Sequence, residues 1–250
     1  LKQNLTNINF LGVIKFTKEN LSIEDKAIQN ELLKRIYHNI YRLNPKQEKG
    51  KSLMVTSCIK NEGKTYTAFN LAKYLASRDK KVILIGCDLG NPDLSKLFDK
   101  KNIKYKGLTD IIIDSKNNFE ELFEEYKITN NQLDTLFVGT KTNTKISIFD
   151  DKKYDDLILY LKGKYDYIIF DTAPIMLMVD SLKLLGKSDY VIHVFRKNYS
   201  SKKFVNYVLD YKEKYNKKNI GYVIVDDTKP DKFIDKYGYG YGYGYGYGYR

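Results

Sequence analysis

Leu53-Met54-Val55-Thr56-Ser57-Cys58-Ile59-Lys60-Asn61-Glu62-Gly63-Lys64-Thr65-Tyr66-Thr67-Ala68-Phe69-Asn70-Leu71-Ala72 is a short apolar run, a polar loop ending Gly-Lys-Thr, and a helical pattern. Strand, loop and helix in that order are the setting a phosphate-binding loop requires. Backbone N–H groups at the loop and helix start face an anion, and the helix dipole adds to their pull. Lys64 brings a point charge suited to β- and γ-phosphates, and the Thr65 hydroxyl can ligate a bridging Mg²⁺. The glycine that usually opens such a loop is replaced by Cys58. The competing reading is a surface turn with an incidental Gly-Lys-Thr.

Working outward, Val82-Ile83-Leu84-Ile85 is wholly apolar, as expected of a parallel strand covered on both faces, and leads to Gly86-Cys87-Asp88. A second run, Tyr165 to Phe170, ends in Asp171-Thr172-Ala173-Pro174 and has the Walker B shape. Further strands are expected at Ser52–Ser57, Asp134–Gly139, Tyr190–Phe195 and Gly221–Val225. Helices are expected at Ser22–Leu43, Thr65–Ala76, Leu108–Ile113, Lys153–Leu161, Asp180–Leu185 and Ser201–Lys214, with a short one near Leu94–Phe98. In the first, Ile28, Leu32, Leu33, Ile36 and Ile40 recur at helical spacing, Glu24 and Asp25 suit the start, and Pro45 closes it. Strands alternating with helices predict an α/β fold with a doubly wound, mostly parallel sheet of the P-loop NTPase type, its ligand in the crevice at the strands' carboxyl ends.

The 250 residues suffice for one α/β domain. Residues 1–21 read as a poorly ordered or partner-dependent arm, 22–236 as the folded domain, and 237–250 as a tail. The tail alternates glycine with Tyr237, Tyr239, Tyr241, Tyr243, Tyr245, Tyr247 and Tyr249. Such a segment buries too little surface to offset its ordering entropy and is expected to be mobile. It is either an adhesive low-complexity tail or a display of phenolic hydroxyls beside a phosphoryl-transfer site.

The net charge of +12 is compatible with nucleotide, nucleic acid or an anionic leaflet, and equally with a Lys- and Asn-rich coding bias, since the lysines are scattered. Cys58 and Cys87 are too few for a disulfide framework, which points to a reducing cytosol. No apolar run is long enough to span a bilayer and the N-terminus lacks a signal-peptide pattern, so membrane association would come through a partner. The chain opens at Leu1 rather than Met, which suggests a trimmed or joined chain. His38 and His193 read as structural.

Lys64, Thr65, Asp88 and Asp171 are expected to meet. Phosphoryl transfer needs neutralised charge, a metal clamp and an aligned acceptor; these residues supply the first two, with Thr65, Asp88 and Asp171 around the metal and Lys64, Asp88 and Asp171 as the catalytic set. The acceptor is water or a tyrosine. Either aspartate could instead cap the helix that follows it.

These residues resemble the bacterial tyrosine kinases of capsular and exopolysaccharide biosynthesis, within the deviant-Walker ATPases that include the MinD and ParA groups. The resemblance runs from Glu31 to the C-terminus. Its marks are Thr56-Ser57 to Thr65, Asn70-Leu71-Ala72, Asp88-Leu89 with Pro92 and Phe98, Gly107-Leu108-Thr109-Asp110, Asp166 to Pro174, Asp180, Asp189, Arg196 and the tyrosine tail. It implies ATP and Mg²⁺ as cofactors, nucleotide contacts from Asn61, Glu62, Gly63, Lys64, Thr65, Tyr66 and Arg196, and autophosphorylation of Tyr237 to Tyr249 between neighbours in a ring. It also implies a membrane-embedded chain-length regulator as partner, no nucleic acid, and ring contacts at Glu31 and Lys34.

This sequence departs from the family pattern at several points. The first Walker A′ aspartate, proposed to activate the acceptor, falls at Gly86, and the following arginine at Gly90. The loop's Pro-Gly is Lys60-Asn61, the ring segment reads Glu31, Lys34, Tyr37, and the asparagine expected near the adenine is Val225. Besides an autokinase, the alternatives are a degenerate nucleotide-binding scaffold or phospho-acceptor, and a MinD- or ParA-like positioning ATPase. Asp93 and Glu62 are the candidates to replace the missing carboxylate.

Overall fold

The computed structural model describes residues 8–16, 22–43, 49–90, 93–98, 105–114, 116–140 and 148–226. Eight strands form one sheet: β1 (Asn9–Lys15), β2 (Lys51–Ser57), β3 (Val82–Cys87), β4 (Ile128–Asn130), β5 (Leu133–Leu136), β6 (Tyr167–Thr172), β7 (Tyr190–Arg196) and β8 (Ile220–Asp226). Their order is β1-β8-β7-β2-β6-β3-β5-β4, with all pairings parallel except β4 with β5. Seven helices flank it among the described residues: α1 (Ile23–Leu43), α2 (Lys64–Ala76), α3 (Leu108–Ile113), α4 (Phe119–Tyr126), α5 (Lys152–Lys164), α6 (Val179–Lys187) and α7 (Lys203–Lys214). No helix among them is long and apolar enough to cross a membrane.

The central strands β2, β3 and β6 are buried at every residue. They therefore read as continuous apolar runs rather than alternating ones. One face packs Leu53, Val55, Leu84, Ile169 and Ile192 against Leu33, Ile36 and Ile40 of α1 and Ala68, Leu71 and Leu75 of α2. The other packs Met54, Ile83, Ile85 and Phe170 against Ile111, Phe123, Leu157, Leu184 and Val208 of the remaining helices. Removing the Leu71 or Phe170 side chain from such a core costs about 2–5 kcal/mol, since the interior cannot close over the void.

Two differences from the sequence reading stand out. Residues 9–15 are not a loose arm: they form β1, an edge strand parallel to β8 whose inner residues Leu11 and Ile14 are buried against α1. Its partner lies more than 200 residues away, so no local spacing announces it. Gln29 of α1 fixes it by accepting the Lys15 N–H at 3.1 Å. The stretch between Ile113 and Asp134 also folds, as α4 and the antiparallel β4; Asn118 caps α4 by accepting the Glu120 N–H. The helix expected near Leu94–Phe98 is a 3₁₀ turn over Asp93–Leu97. Tyr237–Tyr249 lie outside the described residues.

Candidate functional site

The loop between β2 and α2 stands at the carboxyl edge of the central strands. Two of its residues have positive φ: Asn61 at 64° and Gly63 at 98°. Asparagine tolerates the left-handed region, which lets Asn61 serve where the resemblance expects glycine. Gly63 is more constrained, because a Cβ there would stand 3.0 Å from Val225 Cγ2. The α2 ladder starts at once, with Thr67 N–H donating to the Gly63 carbonyl at 2.9 Å. The first-turn N–H groups of α2 are thereby left facing the loop, the arrangement that suits an anion.

The structure brings together the four central residues picked from the sequence. Lys64 Nζ is 3.4 Å from Asp88 Oδ2, with both side chains nearly buried. Thr65 Oγ1 donates to Asp171 Oδ1 at 3.1 Å. The β-sheet register explains the convergence: Val55 of β2 pairs with Asp171 of β6, and Gly86 of β3 pairs with the same Asp171. Burial pushes the Asp171 carboxyl up to about 7, and Asp88 and Asp93 push the same way, while Lys64 and the Thr65 hydroxyl pull it down. A carboxylate held in that balance is poised to gain a cation. Thr65 with Asp171, and Asp88 in reserve, are hard oxygen donors few enough to leave places for water and phosphate, which suits Mg²⁺.

Above them opens a cleft of about 490 Å³ lined by Phe16, Asn61, Gly63, Lys64, Thr65, Tyr66, Asp93, Leu97, Arg196, Tyr199 and Val225. Its floor is polar and its far end aromatic. Arg196 donates to the Asn61 carbonyl at 3.1 Å, and its guanidinium lies 5.6 Å from the Phe16 ring centre and 5.5 Å from that of Tyr199. The Tyr66 hydroxyl donates to the Lys15 carbonyl at 2.8 Å, which ties α2 to the end of β1. Asn61, Gly63, Lys64, Thr65, Tyr66 and Arg196 thus all border one space that fits a nucleotide, phosphates at the loop and base among the rings.

Glu62 is placed differently. Its carboxylate is buried, accepting the Ile59 N–H at 2.9 Å and bonding to the Ser200 hydroxyl. It braces the loop from behind, and burial raises its pKa despite those hydrogen bonds. Glu31 and Lys34 stand apart from the cleft on the exposed face of α1, paired with each other at 3.4 Å.

Sequence reasoning did not identify Phe16, Leu97 or Tyr199 as cleft residues. Phe16 follows the overlooked β1, and its N–H donates to the Asp226 carbonyl at 2.8 Å, so only the long-range strand pairing brings it to the cleft. Cys58 and His193 also meet unannounced: Sγ and Nε2 are 3.5 Å apart, and His193 Nδ1 lies 2.9 Å from the Tyr211 hydroxyl. Burial drives the Cys58 thiol well above its usual range and the imidazole down to about 3, so this group is neutral packing under the loop.

A domain family described as an AAA domain matches residues 58–221. The tyrosine-protein kinase CpsD of Streptococcus pneumoniae is 32% identical over 194 residues, covering 76% of this chain and 81% of that protein. Among solved structures, the kinase domain of the Escherichia coli tyrosine kinase ETK superposes with a TM-score of 0.74 at 17% identity, covering 96% of this chain and 95% of that one. The chimerical protein CapA2B2 gives 0.75 at 19% identity, covering 90% and 98%. The two structural likenesses speak to the fold.

Proposed function

The chain belongs to the bacterial tyrosine-protein kinases, and on that premise we propose that it is an ATP-dependent autokinase that phosphorylates Tyr237 to Tyr249 and thereby regulates capsular or exopolysaccharide assembly and export. The observation that carries this reading is the double pairing under the loop, Lys64 with Asp88 and Thr65 with Asp171, at the mouth of a nucleotide-sized cleft.

In this reading, Lys64 leaves Asp88 to meet the β- and γ-phosphates of ATP and offsets their charge. The Thr65 hydroxyl and the Asp171 and Asp88 carboxylates would hold Mg²⁺. Bound there, Mg²⁺ would supply neutralisation of the phosphate charge. Backbone N–H groups of the loop and first α2 turn fix the phosphate chain, and Arg196 with Phe16 and Tyr66 encloses the base. The acceptor tyrosine comes from a neighbouring copy, in a ring to which the exposed Glu31 and Lys34 contribute. A membrane-embedded chain-length regulator with a cytoplasmic tail recruits the chain to the inner face of the cell membrane.

Gly86 favours a second reading. A Cβ there would lie 3.2 Å from both Val138 Cγ2 and the Val138 nitrogen, so a side chain at the position of the family's acceptor-activating acid fits only if Val138 gives by a few tenths of an ångström. A scaffold that binds nucleotide without transferring phosphate is the alternative. Incubation of the purified chain with Mg²⁺-ATP and the regulator's cytoplasmic tail, followed by mass spectrometry, separates the two. Label on Tyr237–Tyr249 that disappears in Lys64→Met supports the autokinase. Tight ATP binding without label supports the scaffold, and phosphate released to water alone supports a positioning ATPase.

A further inference from the structure

Large apolar side chains exposed among the described residues otherwise stand apart along the chain, but three fall within four consecutive positions: Met176, Leu177 and Val179 are 44, 53 and 70% exposed. The segment follows β6 and begins five residues beyond Asp171. Its frame is fixed at both ends. Ile175 is buried and its N–H donates to the Ser57 carbonyl at 2.8 Å, while the Leu177 and Met178 N–H groups both donate to the Pro174 carbonyl, at 3.0 and 3.2 Å. The Ser181 hydroxyl donates to the Ala173 carbonyl at 2.8 Å. A braced turn thus holds apolar side chains in water, the pattern of a contact surface.

The segment adjoins the phosphate end of the cleft. A Cβ on Gly90 would stand 3.6 Å from Asp88 Oδ1 and 3.9 Å from Met178 Cε, so the thioether and the carboxylate that faces Lys64 border one point that glycine leaves open. The tail leaves the fold at the same edge, because β8 ends at Asp226 and runs parallel to β7, β2 and β6. From β8 to β6 there are three strand spacings, about 14 Å. Ten residues separate Asp226 from Tyr237, about 33 Å of extended chain. That length suffices to bring the tail's tyrosines to this edge, in the same copy or an adjoining one.

We propose that Met176–Val179 is the docking surface for the tail Tyr237–Tyr249 and positions one of its hydroxyls at the phosphate end of the cleft; the assignment rests on the autokinase reading above. Glycine at every second position puts all seven rings on one side of an extended tail, about 6.6 Å apart. Methionine suits this occupant: its thioether makes favourable contacts with aromatic rings, and its unbranched chain adapts to partners that arrive in different placings. One ring lies on the segment while a neighbouring hydroxyl is presented beside Asp88 and Lys64. Identical tyrosines let the tail dock in several registers, so several of the seven become acceptors. Met176 to Val179 do not line the nucleotide cleft, so losing the surface is expected to show in the KM for the acceptor and not in nucleotide affinity.

The test uses the full chain labelled at its methionine methyl carbons. Its three methionines are Met54, fully buried in the sheet, and Met176 and Met178 in the segment. A peptide of residues 237–250 is titrated by NMR into the full chain carrying Tyr→Ser at all seven tail positions, and the same peptide is the acceptor for kinetics with Mg²⁺-ATP. The expected result is a ring-current shift of the Met176 and Met178 signals with Met54 unmoved. In Leu177→Ser/Val179→Ser the peptide's Kd and KM rise about tenfold, while kcat and the affinity for adenylyl imidodiphosphate with Mg²⁺ stay within about threefold; Leu177→Met/Val179→Ile keeps the parent's values. Unmoved Met176 and Met178 signals, or an unchanged KM in the serine variant, overturn the docking assignment alone. So does a rise in KM matched by an equal loss of nucleotide affinity. Met176 and Met178 signals that move with protein concentration but not with peptide put a folded second copy on the segment and also overturn it. A peptide that docks there and is never labelled, with the analogue bound normally, overturns the autokinase reading and leaves the docking surface standing.

Discussion

The buried His193 makes the fold acid-sensitive in a way that can be computed. Its imidazole is enclosed between the Cys58 thiol and the Tyr211 hydroxyl, under the phosphate loop. Burial holds both neighbours neutral by raising their pKa values, so neither offers an anion to a protonated ring. Desolvation accordingly lowers the His193 pKa from 6.5 to about 3. The unfolded chain binds this proton below 6.5 and the folded one does not, so the contribution is fully present above pH 6.5 and is lost as pH falls toward 3. By proton linkage the loss relative to pH 8 is roughly 2 kcal/mol at pH 5 and roughly 3 kcal/mol at pH 4. The assay is urea unfolding followed by circular dichroism from pH 8 to pH 4, comparing wild type with His193→Phe/Tyr211→Phe, which removes the titrating ring without orphaning a buried hydroxyl. The stability difference between the two should shift by about 2 kcal/mol toward the variant on going from pH 8 to pH 5. Parallel pH curves for the two proteins, or an NMR titration placing His193 near 6.5, would refute the argument.

Other expectations concern the site and its frame. Lys64→Met leaves Asp88 and Asp171 side by side without their cation and should weaken Mg²⁺-ATP binding by about 10²-fold or more, read by calorimetry. Gly63→Ala combines a φ of 98° with a Cβ 3.0 Å from Val225 Cγ2, and should cost about 1–3 kcal/mol in unfolding free energy. Adding Val225→Ala relieves the contact but not the backbone strain, so it should recover only part. Asp189→Asn should lower stability by about 1–2 kcal/mol, because Asp189 Oδ2 accepts both the Ser52 N–H and hydroxyl at 2.9 and 2.8 Å and also faces Lys162 at 3.0 Å. Thermal unfolding checks this one, and nucleotide affinity should not change.

The nucleotide loop and the two acids were legible in the sequence because each is announced by its neighbours. Lys64 and Thr65 follow a strand and start a helix, and Asp88 and Asp171 follow apolar runs that only doubly covered strands produce. Parallel pairing then carries all these ends to one edge, so the alternation of elements already implied that they meet. The order of β2, β6 and β3, which sets Thr65 against Asp171 and Lys64 against Asp88, is a matter of which strands pair and is decided by the folded sheet.

What the chain alone determined is therefore local: the loop, the acidic strand ends, the helix faces and the α/β class, all fixed by side-chain period and backbone chemistry within a few residues. What only the tertiary structure decided depends on contacts between distant segments. Pairing of β1 with β8 delivers Phe16 to the cleft, pairing of β7 with β2 sets Cys58 against His193, and the strut from Glu62 to Ser200 turns that acid away from the cleft. The burial that makes each of these possible is created by partners as much as 212 residues off, as Asn9 is from Gly221, and residue spacing along a chain does not record them.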